Sequence, residues 1–177
     1  MSQVTYRYCP RCAAPLTDRE QGGFARRVCT ADNCGFIYWD NPTPVVAAVV
    51  EHEGEIVLAR NALWPQRFFA LITGFLERNE DPAEAVLREV EEEIGLQGSA
   101  ANFIGHYRFD RMNQLIIAYH VEARGTIRLG EEISEIIRVA PKDARYWPAA
   151  TGLALRDWLI SRGHTALPME LPERPRA

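Results

Sequence analysis

The chain has 177 residues, enough for one good core or one core with a small appendage. Its 47% hydrophobic and 25% charged content is ordinary for a globular protein, and no run approaches the roughly 18 apolar residues of a membrane span. A net charge of −4 argues against a broad electrostatic grip on nucleic acid, so a polyphosphate ligand needs a few placed cations or a metal.

In chain order, the opening MSQVTYRYCPRC lacks the basic-then-apolar pattern of an export signal, and a cytoplasmic protein is expected. The cysteines follow as Cys9-x2-Cys12 and Cys29-x4-Cys34, the spacing of a four-thiolate zinc site in which each pair reaches the metal from one tight turn. Two disulfides or four unrelated buried thiols are the alternatives; an oxidising compartment is not indicated, and unrelated thiols do not explain the pairing. Four Cys ligands leave zinc no open position, so this metal holds a fold together and does no chemistry. Between the pairs, two strands around Gly22-Gly23 make a small β zinc ribbon. Arg19, Arg26 and Arg27 are available to phosphate there, though a purely structural ribbon is the stronger expectation.

WDNPTP (39–44) reads as a linker. Strands are expected at 45–50, 56–60 and 67–72, the last running into Gly74. A helix starts at Asp81 as N-cap with Pro82 behind it, presents Ala83, Val86, Leu87, Val90 and Ile94 to a core, and stops at Gly95. Strands then follow within 102–109, 113–123 and 136–140, and a helix spans 151–163. The Pro-rich 164–177 is expected to be disordered. The order β, β, β, α, β, β, β, α makes a mixed sheet with helices packed on it, an α/β (α+β) arrangement. The expected division is 1–38 ribbon, 39–163 main domain and 164–177 tail.

Glu89, Glu92 and Glu93 share an arc of about 100° on the first helix, nearly opposite the centre of its apolar stripe. Two such charges about 6 Å apart repel by roughly 3 kcal/mol at an effective dielectric near 20, and a divalent cation reverses the sign. Hard oxygen ligands select Mg²⁺ or Mn²⁺. A solvated acidic face is the alternative, because like charges in open water cost only a few tenths of a kcal/mol.

The full pattern Gly74-x5-Glu80-x7-Arg88-Glu89-Val90-x-Glu92-Glu93-x-Gly95-Leu96 matches the Nudix box at every fixed position. The chain therefore resembles the Nudix hydrolases, which implies a Nudix α/β/α sandwich with a mixed sheet, here preceded by the ribbon. The resemblance also implies Mg²⁺- or Mn²⁺-dependent hydrolysis of a nucleoside diphosphate linked to another moiety. By resemblance Glu89, Glu92 and Glu93 are metal ligands, the Gly74 carbonyl adds another, and Arg88 braces the loop through Glu80. Glu91, the variable position, points elsewhere. A base outside the box, on a loop ahead of a late strand, is expected at Glu132, with Glu135 second and Glu131 nearby; failing these, Glu92 activates the water.

A four-cysteine ribbon ahead of such a domain is similar to the NADH pyrophosphatase group and related ADP-ribose and FAD pyrophosphatases. The Ser-Gln-Pro-Trp-Pro-Phe-Pro-x-Ser motif of the NADH enzymes is absent from Gly105–His120, leaving NADH or NAD, ADP-ribose and FAD open. Candidate substrate contacts are Phe68 and Tyr107, with Phe69 and Phe109, as aromatic platforms, and Arg60 and Arg108, with Arg111, as diphosphate clamps. His106 and His120 read as structural. A nucleotide-sensing module whose ribbon contacts nucleic acid or protein, and a hydrolase of NAD-capped RNA, are the alternatives. No membrane partner is expected, nucleic acid only as a capped RNA end, and a homodimer stays open.

Overall fold

The computed structural model describes residues 6–64 and 67–169, which divide into two compact units at Pro42 and Thr43. The ribbon therefore runs slightly past the expected boundary at residue 38. Its strands β1 (Leu16–Gln21) and β2 (Phe24–Cys29) form an antiparallel hairpin around Gly22 and Gly23, both at positive φ, and β3 (Ile37–Tyr38) adds antiparallel to β2. Positive φ at two adjacent residues is the hairpin geometry that glycine meets without steric cost.

The second unit is built on β4 (Thr43–His52), whose residues Val46 to Val50 are completely buried. An uninterrupted Val/Ala run suits a strand covered on both faces. The strand begins at Thr43 and Pro44, inside the segment expected to be linker. β8 (Gln114–Arg124) pairs parallel to β4 along its whole length, and β7 (Gln97–Phe109) pairs antiparallel to β8. The other edge of β4 is divided. Its first half pairs with β6 (Ile72–Phe75), its last three residues with β5 (Glu55–Asn61), and β9 (Ile133–Val139) closes beyond β5.

The third strand thus lies at 72–75 rather than 67–72. Within 67–71 the chain makes a single bridge, Ala70 to Ala59, while Phe68 and Phe69 turn their rings into the core. Ring burial wins over ladder pairing there, and the ladder resumes where Gly74 faces Val46.

Helix α1 (Pro82–Ile94) covers one face of the sheet with Val86, Val90 and Ile94, each burial contributing about 1.5–3 kcal/mol. The Asp81 carboxylate accepts the Ala83 N–H at 2.8 Å, and Gly95 at φ 69° ends the helix. Helix α2 (Thr151–Ser161) covers the opposite face with Leu155, Trp158 and Leu159. The result is the three-layered α/β/α arrangement with a mixed sheet. Residues 164–169 are ordered, against expectation: β11 (Leu167–Pro168) pairs parallel to β10 (Arg145–Tyr146), and Ala166 and Met169 pack on the α2 side of the core. The rest of the expected tail lies outside the described residues. Among those described, no helix is long and apolar enough to cross a membrane.

Candidate active site

In the ribbon the four thiols converge. Cys9 Sγ lies 3.6 Å from Cys34 Sγ, Cys12 Sγ lies 3.4 Å from Cys29 Sγ, and all four fall within 4.8 Å of one another. Ligands of a tetrahedral zinc stand about 3.8 Å apart, whereas a disulfide needs about 2 Å, so the donor set fits one zinc and not two disulfides. Burial raises the Cys9 thiol, but the N–H groups of Arg11 and Cys12 and the neighbouring thiols outweigh it and bring it down to about 7. The N–H groups of Ala31 and Phe36 lower Cys29 and Cys34, but desolvation and the neighbouring thiols outweigh them and raise both, Cys29 to about 12. Of these three Cys9 is therefore the thiol that ionises first, and the other two need the metal's charge to do so.

In the second unit the box residues gather around a cavity of about 460 Å³ lined by Gly74, Glu77, Arg88, Glu89, Glu92, Glu93, Glu131 and Glu132. Glu89 and Glu93 do not point into open water as the helical wheel suggested. The Glu89 side chain is only 13% exposed, and Glu93 is half-buried, because β6 and the loop before β9 wall in that side of α1. A Cβ on Gly74 would lie 1.8 Å from the Glu89 carboxyl carbon, so glycine leaves room for that carboxylate against the strand. Desolvation raises the Glu89 carboxyl, opposed by Arg88, and pushes Glu93 up to about 8, with Glu89, Glu132 and Glu92 adding repulsion.

Arg88 organises the group. Its Nε and one terminal nitrogen hold both oxygens of Glu80 at 2.7 and 3.1 Å, and the other terminal nitrogen donates to Glu89 at 2.7 Å and Glu92 at 2.9 Å. Glu80 also accepts the Glu77 N–H at 3.0 Å, tying the loop to the helix. The Arg88 guanidinium in turn holds Glu80 below the usual carboxylate range.

Glu132 reaches the cavity because the 126–132 loop is pinned to the end of α1. Arg128 N–H donates to Ile94 O at 2.9 Å and Gly130 N–H to Glu93 O at 2.8 Å, and a Cβ on Gly130 would strike Glu92 O at 2.4 Å. Glu135 is held elsewhere by Arg67 at 2.5 Å, which lowers its carboxyl.

Among the described residues the four cysteines are the one group of three or more donor side chains drawn tightly together; in the cavity Arg88 stands between Glu89 and Glu92 and donates to both. The donor set still fits Mg²⁺ or Mn²⁺. All donors are hard oxygens, the ligand type these ions select, and water and phosphate oxygens would complete the shell.

A second cavity of about 490 Å³ shares Val45, Thr73 and Gln114 with the first and is apolar, lined by Trp64, Phe68, Phe109, Met112 and Trp147, with Arg111 beside them. Phe68 packs edge-on against Trp147 at 5.3 Å. Trp64, Trp147 and Gln114 were not singled out from sequence; their one signal, Trp beside Pro in two loops, points nowhere by itself. The structure does not bring the other candidates here. Tyr107 donates to Asp157 of α2 at 2.8 Å, within the α2-side core. Arg108 is exposed beside Asp110, and Arg60 lines neither cavity. His120 is buried against Glu51 and stacked on Trp158, and His106 packs on Phe103.

A profile of the NUDIX domain matches residues 41–159. The NAD-capped RNA hydrolase NudC of Pseudomonas aeruginosa is 27% identical over 116 residues, covering 66% of this chain and 40% of that protein. The NAD-capped RNA hydrolase NudC of Mycobacterium tuberculosis is 38% identical over 79 residues, covering 44% of this chain and 25% of that protein. The chain thus spans well under half of either relative. A crystal structure of a NUDIX hydrolase from Nitrosomonas europaea superposes with a TM-score of 0.74 at 21% identity, over 93% of this chain and 97% of that one, and supports the fold. With the box geometry and a profile match across most of its length, the chain belongs to the NUDIX domain family.

Proposed function

We propose that the chain hydrolyses the pyrophosphate bond of a nucleoside diphosphate linked to another moiety, of the NADH or NAD, ADP-ribose or FAD type, releasing a nucleoside monophosphate. The NAD-type end of an RNA is a substrate of the same site, a reading supported by the two relatives named for that activity. The observation that carries the proposal is the carboxylate cavity sharing a wall with the aromatic one. A diphosphate in the first leaves an attached ring within reach of Phe68, Trp64 and Trp147 in the second.

Glu89, Glu92 and Glu93, with the Gly74 carbonyl, would hold Mg²⁺ or Mn²⁺. Bound there, the cation supplies positive charge to the diphosphate and acidifies the attacking water. Glu132 accepts the proton of that water as its oxygen bonds to one phosphorus; the bond from that phosphorus to the bridging oxygen breaks, and the second phosphate leaves with it. Arg88 keeps Glu89 and Glu92 oriented and braces the loop through Glu80. Unpaired thiols gathered for zinc suit a reducing compartment such as the cytoplasm.

The test is incubation with Mg²⁺ or Mn²⁺ and NADH, NAD, ADP-ribose, FAD or NAD-capped RNA, with products identified by mass. Monophosphate products that vanish with Glu93→Gln support the reading; intact substrates throughout the panel refute it.

A further inference from the structure

The two faces of the ribbon sheet differ chemically. Side chains alternate along a strand, and Arg19 of β1 stands directly opposite Arg26 of β2. The Arg26 guanidinium lies 5.4 Å from the Phe24 ring centroid and 4.8 Å from that of Trp39, so the two rings and two arginines share one face. The acids of β1, Asp18 and Glu20, alternate to the other face, where Asp18 meets Arg27 at 3.7 Å. The Asp40 carboxylate accepts the Tyr38 hydroxyl. Phe24 is 65% exposed, Trp39 is 49% exposed, and Arg19 faces water.

Arg26 donates to the Trp39 carbonyl as it lies over the two rings, which holds the residue after β3 against β2. Fold stability does not explain Arg19 or the exposure of the rings. Like charges directly opposite across two strands weaken a sheet, and rings left in water contribute little burial. Both features serve a strand of unpaired nucleotides. Arginines neutralise its phosphates, and ring faces accept its bases in a sequence-tolerant way. The overall charge of −4 does not oppose this, because fields from distant exposed carboxylates are screened within about 8–10 Å.

We propose that the ribbon face carrying Arg19, Phe24, Arg26 and Trp39 binds single-stranded RNA. The choice of RNA rests on the reading above, since RNA is the chain that follows an NAD-type cap.

The experiment titrates the full zinc-loaded chain into a labelled, uncapped single-stranded RNA of about twelve nucleotides and reads fluorescence anisotropy. Trp39→Ala and Phe24→Ala should each weaken binding about ten-fold, and wild-type affinity should fall as salt rises. Arg19→Glu is the decisive variant. It sets a carboxylate opposite Arg26, which favours the sheet, so a ten-fold loss with unchanged zinc content and melting temperature cannot come from unfolding. Arg19→Lys should keep most of the affinity. All four variants should turn over free NAD at the wild-type rate. Unchanged RNA affinity in Arg19→Glu and Trp39→Ala, or no binding by wild type, overturns the proposal. Equal affinity for DNA of the same sequence overturns the assignment to RNA. Intact substrates throughout the panel above refute the hydrolase reading alone, since the anisotropy measurement does not depend on catalysis.

Discussion

Replacing Gly74 by alanine separates the two jobs a buried carboxylate can have. The added Cβ would lie 1.8 Å from the Glu89 carboxyl carbon and 2.0 and 2.3 Å from its oxygens. Ordinary contact needs about 3.5 Å, so the carboxylate must retreat by roughly 1.5 Å. Gly74 is not among the residues at positive φ, and its strand pairing with Val46 tolerates alanine. The obstacle is the end of a flexible side chain. The fold should therefore lose only the Arg88–Glu89 hydrogen bond, about 1–2 kcal/mol for a charged pair of which Arg88 is partly exposed. Activity should suffer far more, because misplacing a reacting group or ligand by about 1 Å costs on the order of a hundred-fold in rate. The assay pairs a thermal melt with Mn²⁺-dependent release of monophosphate from NAD. A melting point lowered by a few degrees beside a hundred-fold loss of kcat supports the reasoning. Near wild-type turnover would refute it, since Glu89 would then not need its place against β6.

The sequence carried the elements whose signals are local. The cap at Asp81, Pro82 and Gly95 defines α1 to the residue because each acts within one turn. Cysteine spacing did the same for the ribbon, where two tight turns fix the thiols. The burial of Glu89 and Glu93 was not legible. A helical wheel reports direction about one axis, and what walls in that direction, β6 and the 126–132 loop, comes from distant sequence. Glu132 already ranked ahead of Glu135 by position, but the Arg67 partner that holds Glu135 away from the cavity comes from across the fold and was likewise not legible. Tyr107 misled as a platform because an exposed aromatic and one whose hydroxyl is held by Asp157 look the same in a strand pattern. The ordering of 164–169 escaped because a Pro-rich segment can still add a short parallel bridge when its apolar residues find the core.

Glu132→Gln should lower kcat by about ten- to a hundred-fold with KM little changed, and Glu135→Gln should be nearly neutral; steady-state kinetics with NAD would contradict this if the two effects were exchanged. Phe68→Ala should raise KM several-fold and leave kcat alone, which an unchanged KM would refute. Atomic emission should find about one zinc per chain, lost in Cys29→Ser, whereas mass spectrometry revealing two disulfides would overturn the ribbon site. The metal-free protein should also report Glu93 through its stability. Its carboxyl is pushed up to about 8 in the fold by burial and by Glu89, Glu132 and Glu92, against an ordinary value of 4.5. Between those two values the folded state keeps a proton that the unfolded chain releases, so stability should fall as pH rises from about 4.5 to about 8 and then level off. Mg²⁺ or Mn²⁺ favours the ionised carboxyl and should flatten that slope, and Glu93→Gln should remove most of it, leaving the smaller part due to Glu89, whose carboxyl is also raised by burial. Melting curves across this range, with chelator and with metal, make the measurement. A wild-type slope that survives both Glu93→Gln and saturating Mg²⁺ would assign the titration to another group and detach Glu93 from the metal.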